Sequence, residues 1–240
     1  MGIVLDRSVA WKLVTLLAVL AAALMLAKTD PASLICVIPS DHIVKGDLPA
    51  NVLAARKAAE QGLAGAQATL GWKYSTGRGV VKDEQAAMTW YLKAAEQGHI
   101  KAQTELGLMY AKGRGVAQDD QAAAAWYQKA AEQGEVFAQT SLGLIYATGR
   151  GVEKDYKAAE AWYRKAAEQG NANAQYNLGF MYGAGRGVPQ DDAQALIWYI
   201  KVAEQGDADA QFNLGLRFET GRGVRQDDSQ AVHWYQKAAE

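Results

Sequence analysis

Residues 167–202 read AEQGNANAQYNLGFMYGAGRGVPQDDAQALIWYIKV, and this stretch decides the fold because the chain contains five versions of it. The tetrapeptide AEQG recurs every 36 residues, and the Trp-Tyr pair and the tetrapeptide GRGV follow the same period. The AEQG glycines are Gly62, Gly98, Gly134, Gly170 and Gly206. A fixed period of about 20–50 residues is the sequence signature of a repeat architecture. The sequence therefore predicts five units of one supersecondary structure.

Each unit is predicted to contain two helices. In the first unit Leu70, Gly71 and Tyr74 share one face at helical spacing, and Gly77 ends that helix. The second helix begins after Asp83, whose side chain can accept hydrogen bonds from free backbone N–H groups. The AEQG glycine then supplies the positive φ that closes it. The equivalent capping aspartates are Asp119, Asp155, Asp191 and Asp227.

Three other repeated residues are interpreted as structural. A mid-helix glycine costs about 1 kcal/mol relative to alanine, so Gly71 and its equivalents predict a close approach of two helices. The amide of Gln67 and its equivalents is expected to satisfy backbone groups between helices. The arginine of GRGV, Arg78 in the first unit, forms one row along the repeats. That row either pairs with nearby carboxylates or loop carbonyls, or recognises an acidic ligand.

The N-terminal residues differ from the repeats. The run from Leu13 to Ala27 carries no charge, and it follows Arg7 and Lys12. We expect residues 1–28 to be a signal peptide or a signal anchor, which is an N-terminal hydrophobic transmembrane helix, and residues 29–49 to be a linker. Either form directs the rest of the chain out of the cytoplasm. The single cysteine, Cys36, permits no intramolecular disulfide.

Composition and spacing predict no chemistry in this chain. Lys and Arg number 25 against 26 Asp and Glu, so there is no basic footprint for nucleic acid. The three histidines are His42, His99 and His233, and no two have the spacing of metal ligands. The repeated Asp-Asp pairs lie at helix N-termini, where capping explains them. We therefore expect no catalytic residue, no metal and no cofactor.

The unit at 167–202 resembles the Sel-one-like repeat, a relative of the tetratricopeptide repeat, and the resemblance covers all five units. It implies an all-α, right-handed superhelical solenoid in which the first helix of each pair lines a concave face. The solenoid is predicted to span residues 50–240. It comprises a half-repeat cap at 50–58 and helix-turn-helix repeats at 59–94, 95–130, 131–166, 167–202 and 203–238.

Resemblance to tetratricopeptide geometry also places the variable positions of the first helices toward that concave face. These positions give an apolar row that is predicted either to line a protein-binding groove or to pack as core between repeats. The row consists of Trp72, Leu108, Leu144, Phe180 and Leu216. The other predicted groove residues are Thr76, Phe137, Tyr176 and Phe212.

The resemblance implies an adaptor or scaffold for other proteins, because family members mostly act in that way and many bacterial ones are exported or envelope-associated. The expected ligand is a protein or peptide segment, bound on the extracytoplasmic side of a membrane in the bacterial periplasm or envelope. One alternative is an envelope hydrolase or a peptidoglycan- or β-lactam-binding regulator, although none of the six serines has lysine three residues downstream. Another is a structural solenoid that self-associates through its open ends.

Overall fold

The computed structural model describes residues 49–240, which are helical without a strand in this range. The predicted signal segment at 1–28 and all of the predicted linker except Pro49 lie outside the described residues. No helix within residues 49–240 is long and apolar enough to cross a membrane. The all-α fold predicted for the repeats is confirmed.

Eleven helices occupy the described residues, and five consecutive pairs of them follow a single leading helix. The leading helix α1 spans Ala50–Glu60. The first helices of the five pairs are α2 Ala64–Thr76, α4 Ile100–Lys112, α6 Val136–Thr148, α8 Ala172–Ala184 and α10 Ala208–Thr220. The second helices are α3 Glu84–Glu96, α5 Asp120–Glu132, α7 Tyr156–Glu168, α9 Asp192–Ala203 and α11 Asp228–Ala238. Each helix packs mainly on the helices before and after it, which is the arrangement of a solenoid.

The helix ends follow the predicted capping residues. Asp155 has an extended backbone, and its Oδ1 accepts hydrogen bonds from the backbone N–H groups of Lys157 at 2.8 Å and Ala158 at 3.0 Å. Four of the five first helices also have side-chain caps, which the sequence analysis did not predict, and only α2 has none. At the start of α4, for example, Nδ1 of His99 accepts from the backbone N–H of Ala102 at 3.3 Å.

Glycine at the centre of each first helix allows a tyrosine of the second helix to lie directly against the backbone. A Cβ added to Gly143 would stand 2.6 Å from Cδ1 of Tyr163, whose side chain is only 2% exposed. The predicted close approach of the two helices is confirmed. The same contact joins Gly71 to Tyr91, Gly107 to Tyr127, Gly179 to Tyr199 and Gly215 to Tyr235.

The repeated glutamines connect one unit to the next, as predicted. Nε2 of buried Gln139 donates to the carbonyl of Ala131 at 3.2 Å, which joins α6 to the preceding helix α5. Its Oε1 accepts from Nε2 of Gln169, which follows α7, at 2.9 Å. One side chain therefore links three successive helices, and Gln67, Gln103 and Gln175 do the same.

The second helices bury alanine and tyrosine more completely than tryptophan. In α7 Ala159, Tyr163 and Ala166 are buried, whereas Trp162 is partly exposed and lies beneath Nζ of Lys165 at 4.1 Å from its ring centroid. This lysine-tryptophan contact recurs in all five units. In most units the second helix therefore buries its small residues and its tyrosine, whereas its tryptophan is only partly covered.

Candidate protein-binding surface

The apolar row on the first helices is a surface feature. Four of its members are between 40% and 51% exposed, and only Leu108 is half-buried. The buried core instead takes residues such as Leu106 and Leu142 from other faces of the same helices. The choice left open by the sequence, between exposed surface and inter-repeat core, is thus decided in favour of exposed surface. The exposed members are Trp72, Leu144, Phe180 and Leu216.

The remaining predicted residues lie beside the row and differ in environment. Thr76 is exposed at the end of α2. Phe137 and Phe212 are also exposed, and each ring contacts a tyrosine of a neighbouring second helix, with centroid distances of 6.2 and 5.4 Å. The half-buried ring of Tyr176 packs edge-on against Tyr199 at 5.5 Å. These aromatic residues therefore combine a packing role with a surface position.

Two pockets open along the row at equivalent places in the repeats, each between neighbouring first helices. The N-terminal pocket, between α2 and α4, has a volume of about 340 Å³ and includes Trp72, Thr76 and Leu108. The C-terminal pocket, between α8 and α10, has a volume of about 680 Å³ and includes Phe180 and Leu216. The structure thus brings the row residues together in pairs. Leu144 lies between the two pockets in sequence and lines neither.

The arginines of GRGV lie along this surface in two different ways. Three of them pair with a carboxylate at the start of the preceding unit's second helix: Arg114 with Glu84 at 3.4 Å, Arg150 with Asp120 at 2.7 Å and Arg222 with Asp192 at 2.9 Å. The hydrogen bond from Arg150 lowers the pKa of the Asp120 carboxyl.

The other two GRGV arginines stack on the row itself. The guanidinium of Arg78 lies 5.2 Å from the ring centroid of Trp72, and that of Arg186 lies 5.0 Å from that of Phe180. The position that holds an acid in the paired units is Tyr156 in the unit before Arg186. Carboxylate pairing therefore accounts for three arginines, and aromatic stacking accounts for two.

The C-terminal pocket contains Arg217, a cation at a position where the three preceding units have an apolar residue. Arg217 is 8% exposed, and its Nη1 donates to Oδ1 of Asp192 at 3.2 Å and to the carbonyl of Arg222 at 3.4 Å. Its guanidinium also lies 5.0 Å from the ring centroid of Tyr199. Burial raises the pKa of the Tyr199 hydroxyl. Arg217 and Arg222 thus share the single carboxylate of Asp192.

The N-terminal pocket has balanced charges. Lys82 and Arg114 both contact Glu84, at 3.1 and 3.4 Å, and Glu105 supplies a second carboxylate on the pocket wall. Burial raises the pKa of Glu105, and the nearby Arg114 opposes that effect. Asn213 occupies the equivalent of position 105 in the C-terminal pocket. The two pockets therefore lie at equivalent places in the repeats and differ in volume and in charge.

Several of these pocket residues were not predicted from the sequence. Arg217 gave a signal, because Met109, Ile145 and Met181 occupy the same position in the three preceding units. Asn213 and Glu105 gave no such signal, since polar residues are ordinary at a partly exposed repeat position. Within residues 49–240, no group of three or more His, Cys, Asp or Glu side chains is arranged to hold a metal ion.

Comparison with known proteins adds a family and two solved structures. The family described as Sel1 repeat matches residues 64–99, 100–135, 136–171, 172–207 and 208–240. These units have the predicted period, and each begins five residues later than the predicted repeat, at the first helix of a pair.

One similar structure is c5321, a protective antigen present in uropathogenic Escherichia coli strains that displays an SLR fold. It is 42% identical with a TM-score of 0.78, and the match covers 80% of this chain and 41% of that chain. A Sel1 repeat protein from Oxalobacter formigenes is 38% identical with a TM-score of 0.73, covering 79% of this chain and 83% of that chain. No curated protein matches the chain.

Proposed function

Because the chain belongs to the Sel1 repeat family, whose members are generally protein-interaction scaffolds, we propose that it is a non-catalytic scaffold that holds a segment of another protein along its apolar row. The segment lies across the first helices and places side chains in the pockets between them. The partner is a protein or peptide, and the described residues supply binding energy rather than a reaction.

A single observation carries this proposal: large apolar side chains recur at one exposed position of the first helices. Trp72, Leu144, Phe180 and Leu216 expose two-fifths or more of their surface, although each helix has a buried face available for apolar residues. Large exposed apolar patches on a protein surface usually mark interaction sites. Arginine stacking on Trp72 and Phe180 holds those rings in place without covering the row with other apolar groups.

The cellular side of this interaction is part of the same proposal. The uncharged run at Leu13–Ala27 and the preceding basic residues support a membrane-anchored or secreted protein whose repeats face the extracytoplasmic side. In a bacterial cell the repeats would then bind their partner in the periplasm or envelope.

Affinity capture tests the proposed scaffold. The immobilised full chain is compared with the double variant Trp72→Ala, Phe180→Glu, and the proteins retained from an envelope extract are identified by mass spectrometry. We expect one or more proteins to be retained by the wild type and lost from the variant. The variant should keep its helical circular dichroism spectrum, because both side chains lie outside the core.

A matched control carries substitutions of the same kind elsewhere. Leu53→Ala with Ile197→Glu changes two side chains that are 59% and 45% exposed on α1 and α9, outside the row. This control should retain the same proteins as the wild type. Equal retention by wild type, row variant and control would contradict the scaffold proposal. Retention of the chain itself, with no other protein, would favour self-association instead.

A further inference from the structure

We propose that the C-terminal pocket binds an acidic side chain, with glutamate preferred, from the segment that lies on the apolar row. This inference rests on the proposed scaffold function and specifies one residue of its partner. The pocket is lined by Phe180, Gly183, Ala184, Tyr199, Asn213, Leu216, Arg217, Thr220 and Arg222.

Arg217 stands at a position that is apolar in the three preceding units and is occupied by Lys73 in the first unit. Met109 and Met181 occupy this position in other units and are almost fully buried. A charged group at a buried position is unfavourable unless its hydrogen-bonding groups and its charge are compensated. Gly183 leaves room for the guanidinium in its present place, because a Cβ there would stand 2.9 Å from Nη2 of Arg217. Two neighbouring units therefore supply the buried cation and the space beside it.

The cations of the C-terminal pocket outnumber its carboxylates. Two guanidiniums, of Arg217 and Arg222, share Oδ1 of a single carboxylate, that of Asp192. The equivalent N-terminal pocket has two cations and two carboxylates, with Glu105 as the additional acid. A carboxylate from a partner would give the C-terminal pocket the same balance. Guanidinium groups favour such a ligand because their planar donors match the geometry of a carboxylate.

The burial of Arg217 favours a side chain of the partner as the source of the carboxylate. Phe180 and Leu216 at the pocket mouth are each 43% exposed, whereas Arg217 beneath them is 8% exposed. A peptide backbone that rests on the row must therefore extend a side chain inward to reach the Arg217 guanidinium. Glutamate has one methylene more than aspartate and reaches further. Its stem contacts the apolar mouth while its carboxylate meets the arginines.

A random dodecapeptide library, fused at its C-terminus so that only side-chain carboxylates are free, tests this inference. The full chain is the bait, and enriched sequences are made as fluorescein-labelled, C-terminally amidated peptides for anisotropy titration. We expect the enriched sequences to contain glutamate next to an apolar residue. Replacing that glutamate by glutamine should weaken binding by about tenfold or more, as expected for loss of a charged hydrogen bond.

Variants of the chain assign the effect to the pocket. Arg217→Met restores the residue found at Met109 and Met181, and Arg222→Gln removes the second cation while keeping a polar side chain. Each variant should weaken binding of the glutamate-containing peptide by about tenfold or more. Arg150→Gln makes the same change at a GRGV arginine that lines neither pocket and should leave affinity within about twofold. Thermal melts establish that all three variants fold.

The outcomes separate this inference from the proposed function. The acidic subsite would be overturned if the enriched peptides lack acidic residues and bind equally well to Arg217→Met and Arg222→Gln. The scaffold proposal would still stand if those peptides no longer bind to the Trp72→Ala, Phe180→Glu variant. Failure to enrich any peptide on the row would count against both. A synthetic peptide without acidic residues that binds through a free C-terminus in an Arg217-dependent way would assign the anion to the main chain and overturn the side-chain assignment.

Discussion

Gly143→Ala tests the contact that fixes the distance between the two helices of a unit. The added Cβ would stand 2.6, 2.7 and 2.9 Å from Cδ1, Cε1 and Cγ of Tyr163, whereas carbon atoms in favourable contact are about 3.5–4.0 Å apart. The ring must therefore shift by about 1 Å. Tyr163 is 2% exposed, so its displacement disturbs the surrounding core.

The expected change in the free energy of unfolding has two opposing parts. Forcing an extra methyl group into a packed core typically costs about 1–3 kcal/mol. Alanine favours the helix over glycine by about 1 kcal/mol. Gly143→Ala should therefore range from nearly neutral to destabilising by about 2 kcal/mol, and a control is needed to isolate the steric cost.

Gly65→Ala provides that control. Gly65 also lies in a first helix, but a Cβ there would meet nothing within 4 Å. We expect Gly65→Ala to be stabilising by about 0.5–1 kcal/mol in urea unfolding at 25 °C, monitored by circular dichroism. The two variants should differ by about 1–3 kcal/mol, which is the steric cost alone.

A double-mutant cycle completes the test. In a Tyr163→Leu background the ring is absent, so Gly143→Ala should lose its penalty and become favourable through helix propensity. Equal stability of Gly143→Ala and Gly65→Ala in the otherwise unchanged chain would refute the packing argument. Persistence of the penalty after removal of the ring would refute it as well.

Three further predictions concern pH, a helix cap and the glutamine links. Burial raises the pKa of Tyr91, Tyr127 and Tyr163 from 10 to about 12. The stability that depends on their neutral hydroxyls is therefore complete below pH 10 and is lost as the pH rises from 10 to 12, so urea midpoints should fall across that range. A flat profile would contradict this. Asp155→Ala removes two hydrogen bonds at the start of α7 and should cost about 1 kcal/mol, whereas Asp155→Asn should retain most of the stability in the same assay. Gln139→Ala removes the hydrogen bonds of Gln139 to Ala131 and Gln169. Because the backbone N–H of Gly134 still donates to the carbonyl of Ala131, the variant should cost only about 0.5–1.5 kcal/mol, and an unchanged free energy of unfolding would show that the link is dispensable.

Local physical rules were sufficient to predict most of the repeat. The capping role of Asp155 depends only on the next three residues, and the close approach at Gly143 follows from the cost of glycine within a helix. The role of Gln139 could be predicted because a buried amide needs partners. All three features recur in every unit, so each was indicated several times by the same sequence.

The partners of the GRGV arginines could not be assigned in the same way, although pairing with nearby carboxylates was one predicted alternative, because each ion pair joins two units. Asp120 and Asp192 belong to pairs that were interpreted as helix caps, yet each binds an arginine 30 residues later in the chain. The guanidinium of Arg217 lies against Gly183 of the preceding first helix, so this contact also joins two units. Periodicity identifies what the units share, whereas these contacts arise from their differences.

The junctions between units have a consequence for how such a surface changes during evolution. Each pocket is formed by two adjacent first helices, and the glutamine links and tyrosine contacts beneath it are the same in neighbouring units. A change such as Ala to Gly at position 183 or Met to Arg at position 217 can therefore alter one junction without repacking the next. Duplication of a 36-residue unit would add a junction and lengthen the surface. Selection can then act on each pocket separately.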